Sequence, residues 1–308
     1  MDDPRVTPPV LARRSRSQGR LVVRRALALV LLAVVVAAVG WVGAMAIGAT
    51  GEDAAPPPPT TTAPPPPKPL KIIFPEGFTR RDMGDRITAV NGIARKTRKI
   101  DPKLDEREYL RLTRRSRLPG EFAGDGERRH LEGFLFPATY EFLGKTTTKQ
   151  LVNKQLVAFN RNWAKLDLAY ARSKNLTAYD VLTIASMVEK ETLAPEERPL
   201  VAAVIYNRLR MRMPLGIDAT IRYGLNVPGT ESLRQSHLAS DTPYNTRKFA
   251  GLPPTPIANP GLASMQAAAH PANVKYLFFV RKPDKVHHFF TADEDAFYRY
   301  LAENGYNP

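Results

Sequence analysis

Hydrophobic and polar positions follow two different periods along the chain after residue 69. Residues 70–74 (LKIIF) alternate at the period of a strand, and 276–280 (YLFFV) and 286–290 (VHHFF) are interpreted as a hairpin on either side of a Lys-Pro-Asp turn. Residues 148–166 carry apolar side chains at the spacing of a helix. Because helices and antiparallel hairpins occupy separate stretches, the pattern predicts an α+β fold.

Capping and turn residues divide the remaining segments. Thr79 with Asp82, and Thr177 with Asp180, have the spacing of a capping box and predict two helix starts. Further helices are predicted at 105–115, 196–212, 264–270 and 293–301, an extended segment with an aromatic face at 134–142, and loops at 121–130 and 213–262. The second loop is longer than an ordinary connection, which is typical of functional or disordered segments.

The helix predicted after Thr177 carries the most informative motif of the chain, ASMVEKET at residues 185–192. At about 100° per residue, Glu189 and Glu191 fall on opposite margins of its apolar stripe. Burial raises the pKa of a carboxyl group, and an acid with a raised pKa can donate a proton near neutral pH. The motif therefore predicts an acid–base site without choosing between the two glutamates, and two solvated glutamates are the alternative.

The first seventy residues have a different pattern. Residues 26–49 contain no charged side chain, which exceeds the roughly 20 apolar residues that span a bilayer as a helix. Six arginines lie between residues 13 and 25, just before this run. Residues 1–25 are therefore predicted to be a basic cytoplasmic tail, and the part of the chain after the run to lie outside a bacterial cell membrane, as a single-pass protein. A cleaved signal peptide is the alternative, although its apolar region spans only about 7–15 residues.

Residues 50–69 are rich in proline and predict a linker between this anchor and an extracytoplasmic domain. Proline favours the extended polyproline II conformation, which makes a semi-rigid spacer. A disordered tether without a fixed reach is the alternative interpretation.

Composition excludes several kinds of chemistry. The chain has no cysteine among its 308 residues, which excludes disulfides, thiolate catalysis and cysteine-ligated metals. No histidine pair has the spacing of a metal site, so no metal and no cofactor are predicted. The net charge is +15, partly from basic runs at 95–99 and 111–117. These runs lack any nucleic-acid motif and fit solvated helix faces near an anionic surface, so no nucleic-acid partner is predicted.

The order of several short motifs carries a resemblance to a known family. They are LEGFLFP at 131–137, ASMVEKET at 185–192, VIYNRL at 204–209, PYNT at 243–246, GLPP at 251–254 and PIANPG at 256–261. From about residue 70 to 290 this set closely resembles the endolytic murein transglycosylases, the MltG or YceG-like family. The resemblance implies a lyase that cleaves the β-1,4 bond between N-acetylmuramic acid and N-acetylglucosamine in nascent glycan strands. It would leave 1,6-anhydromuramoyl ends and terminate strand elongation.

The same resemblance implies roles for individual residues. Glu191 aligns with the family's catalytic glutamate, which would protonate the leaving oxygen and then accept the proton of the muramoyl 6-hydroxyl. The motif residues whose side chains suit a sugar-binding groove are Glu132, Asp218, Thr220, Tyr244, Asn245, Thr246 and His287. Turn chemistry for Asn245, and helix capping or arginine pairing for Glu132, are the alternatives. His287 aligns with the family's histidine, which predicts a surface position for His288 on the opposite side of the strand.

The resemblance also predicts the domain organisation and reveals departures from the family pattern. Residues 70–130 would form a reduced N-terminal subdomain with a shortened LysM-like part, and 131–308 the catalytic domain. Polar residues of the family are replaced at Gly216-Ile217, Ala219 and Ala138. These replacements support an alternative function, a catalytically weak or inactive glycan-binding scaffold of the wall-synthesis machinery. The expected partners are glycan strands, the cell membrane and peptidoglycan synthases.

Overall fold

The structure, a computed structural model, describes residues 68–125 and 128–306. The predicted tail at 1–25, the predicted anchor at 26–49 and all but the end of the linker at 50–69 lie outside these residues. Within the part of the chain that the structure describes, no helix is both long and apolar enough to cross a membrane.

The elements follow one another in a mixed order of short strands and helices. The strands are β1 (Leu70–Ile73), β2 (Ser116–Arg117), β3 (Arg128–Arg129), β4 (Thr139–Phe142), β5 (Phe278–Arg281) and β6 (His288–Thr291). The helices are α1 (Arg80–Arg98), α2 (Glu106–Arg114), α3 (Thr148–Trp163), α4 (Ala169–Ser173), α5 (Ala178–Glu191), α6 (Arg198–Arg210), α7 (Asp218–Leu225), α8 (Gln235–Leu238), α9 (Leu262–Ala269) and α10 (Glu294–Glu303). The mixed helical and sheet architecture is as predicted.

In the described part of the chain, three antiparallel strand pairs connect segments that are distant in sequence. In the first, β1 pairs with β4 so that Leu70 lies opposite Phe142 and Ile72 opposite Tyr140, all four facing the core. This pairing joins the residues before position 130 to those after it in a single compact unit, 66–308. The pairs β2–β3 and β5–β6 are shorter connections at the edges of the helical core.

Helix α5 lies at the centre of the packing, in contact with α6, α7 and α9. Every residue from Val181 to Val188 is buried, so the helix is enclosed on all sides rather than along one stripe. Even Ser186 is enclosed, and its hydroxyl oxygen accepts a hydrogen bond from the backbone N–H of Ile257 at 3.0 Å. The helix emerges from the core at its two end turns, and the C-terminal one carries the EKE residues.

Local signals predicted the helix starts correctly and the loops less well. Both capping boxes are present, with Thr79 and Thr177 each accepting from the N–H three residues on. The predicted loop at 213–262 contains α7 and α8, and the predicted loop at 121–130 contains a 3₁₀ turn and β3, because tertiary contacts order short segments that lack helical periodicity. The extended segment predicted at 134–142 narrows to the four residues of β4.

Candidate active site

The C-terminal turn of α5 presents Glu191 to the first turn of α7. The two helices are in contact, and Asp218 and the backbone of Ala219, both in the first turn of α7, act on the pKa of the Glu191 carboxyl. Thr192 closes α5 behind it, since its N–H and hydroxyl both donate to the Val188 carbonyl at 3.1 and 2.7 Å. Glu191 is therefore held between the end of one helix and the start of another.

Burial decides the protonation behaviour of Glu191. Desolvation, and secondarily the charge of Asp218, raise the pKa of the Glu191 carboxyl to about 7. Arg281, the Ala219 N–H and Lys190 oppose this shift because each stabilises the ionised form. A carboxyl group with a pKa near neutrality can give up a proton and take one back in the same turnover.

Glu189 has a structural partner, which separates it from Glu191. Its Oε2 accepts the backbone N–H of Gly261 at 2.9 Å, at the N-cap of α9, where a negative charge is favourable. Glu76 packs against the same glycine so closely that a Cβ on Gly261 would lie 1.8 Å from Oε1 of Glu76. Only glycine fits there, and the contact anchors Glu189 on the α9 side of the helix.

Asp218 forms an ion pair beside the catalytic candidate. Its Oδ1 accepts from Nε of Arg247 at 2.6 Å, and both side chains are nearly half exposed. Asp218, a predicted groove residue, thus remains accessible to solvent next to Glu191.

The structure places Thr220, Asn245 and Thr246 inside the wall of the site. All three are buried, at 2% exposure or less. The two threonine hydroxyls lie 2.9 Å apart, and the amide of Asn245 donates to the carbonyls of Leu238 and Ser240 at 2.8 Å. Their polar atoms are occupied by protein partners, so in this geometry they shape the loop that carries Asp218.

Glu132 and Tyr244 both contact Tyr223 of α7. Glu132 is buried at 2% exposure and bonds Arg80, Tyr223 and Asn259. The structure thus places Glu132 in the interior, with its backbone partner at the start of α1, as the capping alternative describes. Tyr244 is half-buried, and its hydroxyl is 2.8 Å from that of Thr255.

For the two adjacent histidines, the structure contradicts the prediction made for His288. His287 is exposed, and its Nδ1 lies 2.9 Å from Oδ2 of Asp284. The surface position predicted for His288 is wrong: His288 is buried, and its Nδ1 lies 2.6 Å from Oε2 of Glu197, while its backbone N–H donates to the other oxygen at 2.8 Å. Strand alternation correctly separated the two side chains but gave no information about a partner ninety residues away.

At the positions that depart from the family pattern, the structure shows contacts of the backbone rather than of the side chain. The N–H of Ile217 donates to Oγ1 of Thr246 at 3.0 Å and its carbonyl accepts from Thr220, while the Ala219 N–H lowers the pKa of Glu191. The carbonyl of Ala138 accepts from Phe74 at 3.0 Å. Sequence reasoning missed the Ala219 N–H and Arg281, because a backbone group leaves no side-chain signal and Arg281 is distant in sequence.

We expect Glu191→Gln to stabilise the folded protein at alkaline pH. The folded pKa of about 7 exceeds the unfolded value of 4.5, so the stability contributed by the carboxyl is complete below pH 4.5 and is lost as the pH rises through 7. Glutamine does not ionise, so the variant should exceed the wild type by about 3 kcal/mol at pH 8.5 and match it at pH 4. Urea unfolding at both pH values measures this; a difference independent of pH would contradict a buried carboxyl.

Comparison with known proteins adds independent information. A protein-family model described as the YceG-like family matches residues 61–303. The endolytic murein transglycosylase of Bacillus subtilis is 32% identical over 189 residues, which cover 60% of this chain and 52% of that protein. The one from Streptococcus pneumoniae R6 is 37% identical over 185 residues, covering 58% and 33%. The match thus spans about half or less of these relatives.

A solved structure shares the fold. The crystal structure of a yceG-like protein from Listeria monocytogenes, at 2.6 Å, aligns with a TM-score of 0.61 and 30% sequence identity. The alignment covers 75% of this chain and 76% of that one.

Proposed function

Because this chain belongs to the YceG-like family, we propose that it is an endolytic murein transglycosylase. It cleaves the β-1,4 bond between N-acetylmuramic acid and N-acetylglucosamine within nascent glycan strands and leaves 1,6-anhydromuramoyl ends, which terminate elongation. The observation that carries the proposal is the position and pKa of Glu191. This residue ends α5 next to α7, and burial raises the pKa of its carboxyl group to about 7. The relatives named endolytic murein transglycosylases support the substrate and the bond.

A single carboxyl group is enough for this reaction. Protonated Glu191 gives its proton to the glycosidic oxygen as the bond to muramoyl C1 breaks. The muramoyl 6-hydroxyl attacks C1, and Glu191, now a carboxylate, takes the hydroxyl proton and returns to its starting state. No water is added, so no second carboxylate is needed to activate water or to form a covalent intermediate. Asp218, engaged by Arg247, is then a groove residue rather than a second catalyst.

The test is the chemical identity of the new ends. Uncrosslinked glycan strands are incubated with the full-length chain, the products are separated, and their masses are determined by mass spectrometry. Internal cleavage with 1,6-anhydromuramoyl ends is expected. Reducing muramic ends would identify a hydrolase of the same bond, and binding without any cleavage would favour the glycan-binding scaffold suggested by Gly216-Ile217, Ala219 and Ala138.

The setting of the enzyme is part of the proposal. The apolar run at 26–49, the arginines before it and the proline-rich linker at 50–69 support a single-pass anchor in a bacterial cell membrane, with the N-terminus cytoplasmic and the catalytic domain outside. Residues 70–130 then form the reduced N-terminal, LysM-like part and 131–308 the catalytic domain. A tether of this kind keeps the domain near newly made strands and near the synthases that make them.

We expect kcat/KM to fall as the pH rises above about 7. Glu191 starts each turnover as the acid, so only its protonated fraction is competent, and its pKa in the free protein is about 7. The profile is obtained from initial rates of anhydromuramoyl formation between pH 5 and 9. Activity that stays constant to pH 9 would mean that another group donates the proton.

A further inference from the structure

We propose that a cavity beside the last turns of α6 binds a carboxylate-terminated peptide, the kind of peptide that the muramoyl units of a glycan strand carry. It is called the α6 cavity below. The inference rests on the proposed function and deepens it, since it names a part of the substrate other than the sugar chain. None of the described residues that line the α6 cavity belongs to the candidate active site, so the two are separate sites.

Three segments of the chain build the α6 cavity. One wall is α6 itself, the second is α4 with the turn that follows it, and the third is the segment 272–277 before β5. The volume is about 890 Å³, and cavities that bind ligands usually measure about 300–1,000 Å³. The space is therefore large enough for a ligand and not only for ordered water.

Hydrogen bonds hold two of these walls in place. The side-chain amide of Asn207 donates to the carbonyls of Val274 and Tyr276, both at 2.9 Å, which ties the third wall to α6. The hydroxyl of Tyr206 donates to the carbonyl of Ala268 at 2.8 Å and so fixes the ring that lines the cavity. The α6 cavity is therefore preformed, as ligand sites usually are.

Large apolar side chains remain exposed at the α6 cavity. Tyr170 and Met211 both line it and are 41% and 53% exposed. The ring centroid of Tyr170 lies 5.6 Å from that of Tyr206, so the two rings form a continuous aromatic surface. Exposed apolar surface with polar groups around it is typical of a binding site. This surface suits the aliphatic part of a peptide.

The charged side chains that line the α6 cavity in the described structure are all positive. Lys174, Arg210 and Lys275 are exposed there, and the lining contains no Asp or Glu. Lys174 lies over the ring of Tyr170 at 5.1 Å, and within the described residues none of the three cations is paired with a carboxylate. Cations beside apolar walls are complementary to an anion that also has an apolar part. A peptide that ends in a carboxylate has both.

The position of α6 favours a peptide on the bound strand as the ligand. Helix α6 begins at Arg198, shortly after Glu191 in the chain. The lining of the cavity on α6 begins at Ala203, about 8 Å along the helix axis from Arg198. An extended peptide of about five residues spans up to about 17 Å. A peptide of this length is therefore long enough to cover that axial distance.

The first test is the binding of a soluble peptide to the full-length chain in detergent. The probe is diacetyl-Lys-D-Ala-D-Ala, and calorimetry measures its affinity. We expect saturable binding that weakens as the salt concentration rises, because the attraction is partly electrostatic. The same peptide with an amidated C-terminus should bind about fivefold more weakly. Equal affinity for the two peptides, or no binding of either, would overturn the inference. Tighter binding of the L-Ala-L-Ala isomer would overturn it too, in favour of the C-terminus of a protein.

A double variant, Lys174→Ala with Arg210→Ala, tests the location of the site. It removes two cations from the α6 cavity and should weaken binding of the probe about tenfold. Lys149→Ala with Arg107→Ala is the matched control, because it makes the same change in charge at exposed positions of α3 and α2. The control should bind within about twofold of the wild type. Equal losses in the two double variants would mean that the net charge alone attracts the probe, and would overturn the α6 cavity as the site.

Turnover separates this inference from the proposed function. The measured quantity is the ratio of kcat/KM for peptide-bearing strands to kcat/KM for strands stripped of peptides by an amidase. In Lys174→Ala with Arg210→Ala this ratio should fall about fivefold, through KM, because the contact is remote from the bond that breaks. Anhydromuramoyl ends formed with an unchanged ratio would overturn the inference and leave the proposed function in place. A wild type that binds the probe as expected and cleaves neither kind of strand would overturn the proposed function and leave the peptide site.

Discussion

Replacing Glu191 with glutamine is expected to lower anhydromuramoyl formation by about 10³-fold or more. General acid–base catalysis by one side chain contributes roughly 10² to 10⁴ in rate, and Glu191 serves as both acid and base in the proposed cycle. Glutamine keeps the size of the side chain, so it should leave the contact between α5 and α7 in place and the loss should appear in kcat rather than in KM. The measurement is the initial rate of formation of anhydro ends on uncrosslinked glycan at pH 6.

The chain supplies a matched control two residues away. Glu189→Gln makes the same chemical change, and its amide oxygen can still accept from the Gly261 N–H at the start of α9. Turnover by this variant should stay within about threefold of the wild type, since Glu189 has no part in proton transfer. Equal losses in the two variants would remove Glu191 from its catalytic role, and a loss in Glu189→Gln alone would assign that role to the first glutamate.

The choice between these glutamates shows how far sequence reasoning reaches. Helical periodicity placed both at the margins of an apolar stripe, whereas the structure encloses α5 on all sides and finds both glutamates partly buried in its C-terminal turn. What separates them is their partners: Gly261 for Glu189, and Ala219 with Asp218 for Glu191. Those partners come from α9 and α7, so no local pattern in ASMVEKET could distinguish the two. The family resemblance alone assigned the catalytic role to Glu191, and the rates of the two glutamine variants test that assignment.

Local signals predicted helices well because their causes are local. The boxes at Thr79 and Thr177 bond residues three positions away, and the structure has both. The burial of His288 depends on Glu197, and that of Thr220 and Thr246 depends on each other across a long loop. Residue type indicated that these positions matter, but not whether their polar atoms face a ligand or the protein.

The altered α7 segment can be understood in the same physical terms. Gly216, Ile217 and Ala219 lack the polar side chains of the family pattern, yet the N–H of Ile217 donates to Oγ1 of Thr246 and the Ala219 N–H lowers the pKa of Glu191. A backbone donor is insensitive to the side chain attached to it, provided that the helix stays in place. The lost side chains therefore affect the surface of the groove more than the environment of Glu191.

Asn259→Ala is expected to destabilise the protein by about 4 kcal/mol or more. Oδ1 of Asn259 accepts the backbone N–H groups of Gly133 and Leu135, each at 2.9 Å. Its Nδ2 donates to the Phe78 carbonyl at 2.9 Å and to Glu132 at 2.8 Å. Alanine would leave the N–H groups of Gly133 and Leu135 unsatisfied, at a cost of about 1–3 kcal/mol each. The Phe78 carbonyl and Glu132 would each lose one donor, although they keep the backbone N–H of residue 259 and of Arg80 respectively. Loss on this scale is exceptional for one substitution, and urea unfolding at pH 6.5 measures it.

Asn273→Ala is the control, because Asn273 is exposed and the same atoms are removed without opening the interior. It should change the free energy of unfolding by less than about 0.5 kcal/mol. Asn259→Asp separates the two halves of the network: its carboxylate can still accept from Gly133 and Leu135, but it faces the Glu132 carboxylate without a donor. Its deficit should therefore grow as the pH rises through about 7, where Glu132 ionises, since burial raises the pKa of Glu132 to about 7. A deficit in Asn259→Ala no larger than that of Asn273→Ala would mean that PIANPG shapes its loop through proline and glycine alone.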